Sequence, residues 1–312
     1  MSGFIDPAEL YPMKMVPYNG DGGNGESITV SGCGTAQSVV GNGILAGKTL
    51  GEVTAFYGRA FLGHKFENIK DFPLAVRIVE VTKRLDLCVF PDRFAAGNMG
   101  GAENTAMWYV LDAKSDSRIF CGLSGRATKL QLHEMLNTPG VERLLQSYAA
   151  IPGDAYCIYP GVIHSAGTGV VLLEISMAGG SSFVLSDWGR GEKKLQTEAG
   201  LKVMDFNNRI SVKVGNSVGK VTFNRKHQIV SRSRFGEIWD LRLISAWRED
   251  TADSGSCHML TPVSGSVAVV PGNSSEKLLL ECGETAIVPA NCGVYNIVPE
   301  SDGGATVLKC VL

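Results

Sequence analysis

Pro152-Gly153-Asp154-Ala155-Tyr156-Cys157-Ile158-Tyr159-Pro160-Gly161-Val162-Ile163-His164 and Cys282-Gly283-Glu284-Thr285-Ala286-Ile287-Val288-Pro289-Ala290-Asn291-Cys292-Gly293-Val294-Tyr295 follow one plan. In each, Gly and an acidic residue make a tight entry, an apolar run reads as a strand, and Pro ends it before the next strand returns. The two copies lie about 130 residues apart, the spacing of a repeated unit rather than of a local motif. Each suits a hairpin at the mouth of a jelly-roll barrel, so the chain reads as two such barrels in tandem.

The flanking sequence agrees. Thirty-eight glycines separate short runs rich in Val, Ile, Leu, Tyr and Phe, the punctuation of many short strands. Strand-like runs include Arg84–Phe90, Ala106–Leu111, Arg118–Gly122, Ala155–Tyr159, Gly169–Ser176 and Phe183–Ser186. Later come Ser211–Val214, Ile238–Ser245, Gly265–Val270, Thr285–Val288 and Thr306–Leu312. Helical spacing appears at Leu50–Leu62 and Lys129–Tyr148; Thr128 is placed to cap the second, and Pro139-Gly140 should split it. The expected fold class is therefore mainly β, two tandem barrels with a few flanking helices. The polar stretch Lys193–Val203 suggests the division, giving domains 1–195 and 196–312.

Composition removes several classes of function. With 44% hydrophobic and 19% charged residues the chain is an ordinary globular one, and 29 basic against 31 acidic residues, without a dense basic run, give no footprint for nucleic acid or an anionic membrane. Apolar runs such as Gly169–Leu173 are far shorter than the roughly 20 residues of a membrane span. No secretory h-region follows the N-terminus, so a cytoplasmic protein is expected. The eight cysteines are dispersed, without a C-x-x-C pair, and read as buried thiols.

From about Glu26 to Arg190 several motifs occur in a telling order: Ser38-Val39-Val40-Gly41-Asn42-Gly43, Gly47-Lys48-Thr49-Leu50, Phe72-Pro73-Leu74-Ala75-Val76, Gly153-Asp154 through His164, Glu174-Ile175, and Asp187-Trp188-Gly189-Arg190. In this order they resemble the short bacterial type of phosphomannose isomerase, a member of the cupin superfamily. The resemblance implies two cupin barrels, a zinc-dependent aldose–ketose isomerisation of a sugar phosphate, and carbohydrate metabolism as the setting.

It also implies which positions carry the chemistry. The family holds zinc with a Gln and a His from a Gln-Val-His-Pro strand, a Glu from a Lys-x-Glu-x-Trp strand, and a later His. Here the first strand resembles Cys88-Val89-Phe90-Pro91, placing Cys88 and Phe90 at the Gln and His positions, and the second resembles Asn104-Thr105-Ala106-Met107-Trp108, placing Asn104 and Ala106 at the Lys and Glu positions. Of the four ligand positions His164 alone keeps its residue, and Val184 stands where the family has a substrate-facing Arg. Arg190 remains as a candidate catalytic residue, or else pairs with a carboxylate. Glu174 and Asn104 complete the expected pocket.

Since a catalytic zinc takes about three protein ligands, no cofactor is expected, and His164 is the one ligand a metal would find. Three readings stay open. The first is a barrel protein that binds a sugar or sugar phosphate without isomerising it. The second is an active mannose-6-phosphate/fructose-6-phosphate isomerase with zinc on unconventional ligands such as Cys88, His164 and Glu174. The third is a non-catalytic sensor or assembly subunit. A homodimer through the sheets is a further expectation. His258, lacking a second His or carboxylate at strand spacing, reads as structural or solvated, and Trp108 and Trp188 read as core.

Overall fold

The computed structural model describes residues 3–20, 23–66, 68–125, 127–136, 138–207, 213–214, 222–233, 236–272 and 276–312, with the backbone alone for 227–233. It is mainly β, with short helices. Residue contacts divide it into a terminal unit, Met1–Tyr18, Ser27–Val76 and Ser217–Leu312, and a central unit, Asn19–Glu26 and Arg77–Asn216. The units are not consecutive in sequence. Within the terminal unit the strand Met13–Val16 pairs with Ala286–Val288, Met13 opposite Ile287. A division at 195/196 takes no account of that return. The polar stretch chosen for it contains the helix Thr197–Val203, whose Leu201 joins Leu185 and Met204 in a core of the central unit.

Two sheets build the central unit. One runs Lys213–Val214, Ala155–Ile158, Ala106–Ala113, Val170–Met177, then Leu74–Glu80, Gly25–Val30 and Tyr18–Asn19, three strands within which the division between units falls. The other runs Phe183–Ser186, Leu87–Val89, Ile163–Ala166, Arg118–Leu123, Leu145–Ala149. Strand alternation sends Val79, Val81, Trp108, Val110, Tyr156, Ile158, Ala166, Val170 and Leu172 into the space between these sheets. The outer face of the second sheet is covered by Leu132, Leu136 and Val141 from the helical segment.

That segment behaves as its sequence predicts. Thr128 and Gln131 form a reciprocal capping box on the helix Lys129–Met135, and Pro139 opens a separate 3-10 turn, Pro139–Leu144. The other expected helix is likewise two pieces, Leu50–Tyr57 and Arg59–Leu62, broken at Gly58, where φ is +44°. Part of the expected strand Ser211–Val214, residues 211 and 212, lies outside the described residues, and Lys213–Val214 is a strand.

The terminal unit repeats the order. One of its sheets contains Ala286–Val288, His258–Ser264, Ala305–Val311, Gly236–Leu243 and Arg225–Ser233 as successive neighbours. The other runs Trp247–Asp250, Val294–Pro299, Val267–Pro271, Leu278–Leu280. Leu241, Leu243, Leu260, Val267, Val269, Ile297 and Val307 fill its interior.

Candidate functional site

A strand buried on one face alternates, so residues two apart share a side. In the central unit this brings most of the expected pocket together. His164 lies on the strand Ile163–Ala166, opposite Cys88 on one neighbour and Cys121 on the other. Val184 pairs with Cys88 from the far side. Glu174 is opposite Trp108, and Ser176 opposite Ala106. Phe90 follows the strand of Cys88 and sets its ring 4.3 Å from the His164 ring, with Trp108 edge-on at 5.4 Å.

Electrostatics then fixes what these groups can do. His164 is 3% exposed, and burial lowers its pKa to about 4, so the ring is neutral at physiological pH. The Val162 carbonyl accepts from Nδ1 at 2.9 Å, which leaves the lone pair on Nε2. Burial pushes the Cys88 thiol up to about 12, against a hydrogen bond from Ser182, so it stays protonated.

Glu174 is the most engaged group. Arg77 donates to it through Nε at 2.9 Å and a terminal nitrogen at 3.2 Å, and the Trp108 indole donates at 2.6 Å. Burial works to raise its pKa, but Arg77 and these hydrogen bonds win, and the carboxyl sits below its usual range. The remaining terminal nitrogen of Arg77 reaches Glu26 at 3.1 Å. Glu174, above all, holds the guanidinium more firmly protonated than usual. Arg77 is the member that sequence reasoning missed. Its inward direction was readable, because Arg77, Val79 and Val81 alternate on one face.

The other expected residues lie apart from this cluster's hydrogen bonds. Asn104 is buried against Gly180, where an added Cβ would come 2.4 Å from the Asn104 Cγ, and its Oδ1 has no hydrogen-bond partner among the described residues. Arg190 pairs with Asp86 and reaches Glu192 at 3.4 Å. Trp188 donates to the Leu85 carbonyl at 2.7 Å, and its ring lies 3.3 Å under the Arg84 guanidinium. A cleft of about 800 Å³ lies in the terminal unit, lined by groups including Tyr11, Asn42, Glu276 and Lys277. It gathers none of the expected site residues.

The groups at Cys88, Phe90, Ala106 and His164, the positions that the sequence resemblance marks as ligands, are a protonated thiol, a phenyl ring, a methyl group and one imidazole, which fit a zinc ion poorly. Among the described residues no group of three or more His, Cys, Asp and Glu is arranged to hold a metal ion. No described helix is long and apolar enough to cross a membrane.

No protein-family model matches the chain. It is 30% identical over 156 residues to the mannose-6-phosphate isomerase ManA of Bacillus subtilis, covering 49% of this chain and 48% of that protein. To the mannose-6-phosphate isomerase of Streptococcus mutans it is 28% identical over 167 residues, 53% of this chain and 52% of the other. The chain thus spans about half the length of the curated relatives it matches. The crystal structure of a mannose 6-phosphate isomerase from Bacillus subtilis superposes with a TM-score of 0.80 at 20% identity, covering 97% of this chain and 100% of that one. The chain is phosphomannose-isomerase-like. A phosphomannose isomerase variant from Salmonella typhimurium superposes with a TM-score of 0.77 at 11% identity, over 97% of this chain and 99% of that one. At such identities these phosphomannose isomerase structures speak for the fold alone.

Proposed function

We propose that this phosphomannose-isomerase-like chain is a two-barrel cytoplasmic protein of carbohydrate metabolism whose central unit binds an uncharged sugar and does not carry out zinc-dependent isomerisation. The observation that carries the reading is the state of Glu174. Its oxygens are taken by Arg77 and Trp108, while Cys88, Phe90 and Ala106 offer no ionised donor beside His164. Metal-assisted isomerisation needs an ion that orients the substrate and steadies charge as a proton moves between carbons, and a lone imidazole holds no such ion firmly.

Charge favours a neutral ligand. Glu26 and Glu174 face one guanidinium, His164 is neutral, and the Val184 position supplies no cation, so a phosphate dianion would enter against an excess carboxylate. Arg77 has a side chain 38% exposed, so the cluster reaches the surface.

The test is metal analysis of the purified protein with an assay for interconversion of mannose 6-phosphate and fructose 6-phosphate. Little zinc and no turnover in added zinc are expected. Stoichiometric zinc together with turnover would replace this reading by that of an active isomerase using Cys88, His164 and Glu174.

A further inference from the structure

Register pairs the two units position by position. In the central unit Cys88 is opposite His164, and Glu174 and Ser176 are opposite Trp108 and Ala106. In the terminal unit the strands in the same order place Glu249 opposite Tyr295, and Lys309 and Val311 opposite Leu260 and His258. Glu249 therefore stands where Cys88 does, His258 where Ala106 does, Tyr295 where His164 does, and Lys309 where Glu174 does. Where the central unit has Cys88 and Ala106, the terminal unit has the polar Glu249 and His258.

The second cluster is strongly built. Lys309 is 2% exposed and its Nζ lies 2.6 Å from Glu249, whose other oxygen accepts from the Trp247 indole at 2.8 Å. Lys226, on the neighbouring edge, approaches the same carboxylate at 3.9 Å and lies 4.1 Å over the Trp239 ring. His258 and Tyr295 are occupied with each other at 2.7 Å, and Ser254 takes the second imidazole nitrogen at 2.8 Å. Both ring nitrogens of His258 and the Tyr295 hydroxyl are thus already hydrogen-bonded. The two lysines, in contrast, share one carboxylate. Burial lowers Lys309 to about 8 although Glu249 opposes it, and the nearby Lys226 adds to the fall. Neutralising Glu249 needs one ammonium. A second, brought close to the first, is an electrostatic cost that an anion between them would relieve. Lys226 is 31% exposed and Trp239 and Trp247 are half-buried, so the approach is from solvent.

We infer that the terminal unit carries a small-oxyanion site, taking a phosphate or carboxylate group between Lys226 and Lys309 beside the indoles of Trp239 and Trp247. It is independent of the sugar reading for the central unit, and the charge excess is of opposite sign.

Binding to the folded state raises stability by mass action, so calorimetric titration and thermal midpoints with inorganic phosphate, against sodium chloride of equal ionic strength, test it. Mannose 6-phosphate, gluconate and mannose serve as phosphate-ester, carboxylate and neutral arms. Phosphate and at least one anionic sugar should bind, and mannose should give no response that depends on Lys226. Lys226→Gln should weaken phosphate by about tenfold or more, and Lys226→Arg should restore most of it. Lys226 is partly exposed, so these variants should fold, whereas Lys309→Met can fail through loss of its buried pair. Arg77→Gln, in the central unit, should leave phosphate binding unchanged. No phosphate response beyond chloride, or one undiminished in Lys226→Gln, overturns the site.

Discussion

The two units bury a charged pair at the same place in the sheet and give it opposite polarity. In the central unit the strand Val170–Met177 carries the carboxylate, Glu174, and a neighbouring strand supplies Arg77. In the terminal unit the equivalent strand carries the cation, Lys309, and the carboxylate comes from Glu249 on the other sheet. Both carboxylates also accept an indole N–H, from Trp108 and Trp247. The difference is in escape from burial. Arg77 has a second carboxylate and a side chain 38% exposed, whereas Lys309 is enclosed, with a competing cation beside it. One cluster is over-supplied with anions and the other with cations, which makes each pair a separate test of what the interior tolerates.

Removing the carboxylates should separate the units most sharply. Glu249→Ala leaves Lys309 buried without its partner, and breaking a buried pair in this way costs about 3–5 kcal/mol. Glu174→Ala also removes the acceptor of Trp108 but leaves Arg77 with Glu26 and partial access to water, so the loss should lie at the lower end of that range, about 3 kcal/mol. Urea unfolding at neutral pH checks both. Equal losses would mean that the second carboxylate of Arg77 contributes nothing.

A pH titration adds the next effect. Burial, assisted by Lys309 and Lys226, lowers His258 from 6.5 to about 3. The unfolded chain then binds the extra proton first, so the stability due to His258 is complete above pH 6.5 and is lost progressively as pH falls toward 3. By pH 4 the loss approaches about 3 kcal/mol for this group. Unfolding free energies at pH 7 and 4 for the native chain and His258→Gln measure it; an identical pH slope in both would refute the assignment.

Much of this architecture was legible from sequence, for local reasons. The Gly-acid entry and Pro exit marked both hairpins, and Thr128 marked a helix start, since each rests on the conformation of a few adjacent residues. The return of Met13–Val16 to Ala286–Val288 was not legible, because pairing so distant in sequence leaves no local trace. The site divides in the same way. Motif order pointed to His164, Glu174, Cys88, Phe90 and Ala106, and strand register and ring contacts bring these positions near one another. Arg77 and Lys309 each stand in a mostly apolar strand where a charge reads as the solvent side, although alternation with Val79 or Val307 points both inward. Glu249, within Trp-Arg-Glu-Asp, resembles an exposed turn. His258 read as structural or solvated for want of a second His or carboxylate at strand spacing; it is buried, and its partners, Tyr295 and Ser254, are neither carboxylates nor on its own strand.

The indole bonds give a smaller contrast. Trp108→Phe removes a 2.6 Å donor from a carboxylate enclosed with it, where a hydrogen bond to a charged group is worth about 1.5–3 kcal/mol. Trp247 is half-buried, so water can replace its N–H, and Trp247→Phe should cost about 1 kcal/mol or less. Thermal midpoints of both variants check the order, and a larger loss for Trp247→Phe would show that Glu249 is the drier carboxylate.

The least effect is expected at Arg190, the residue that motif order marked as a candidate for catalysis. Its side chain is 25% exposed and pairs with Asp86 and Glu192, so it has a structural occupation before any ligand arrives. Partly exposed pairs of this kind contribute about 0–1 kcal/mol, because water competes for both charges and two long side chains must be held still. Arg190→Ala should therefore lower stability by about 1 kcal/mol at most and leave sugar and phosphate binding unchanged. Calorimetric titrations of Arg190→Ala and Arg77→Gln with mannose make the comparison direct: loss of sugar binding in Arg190→Ala alone would move the sugar site away from Glu174 to the rim beside Asp86.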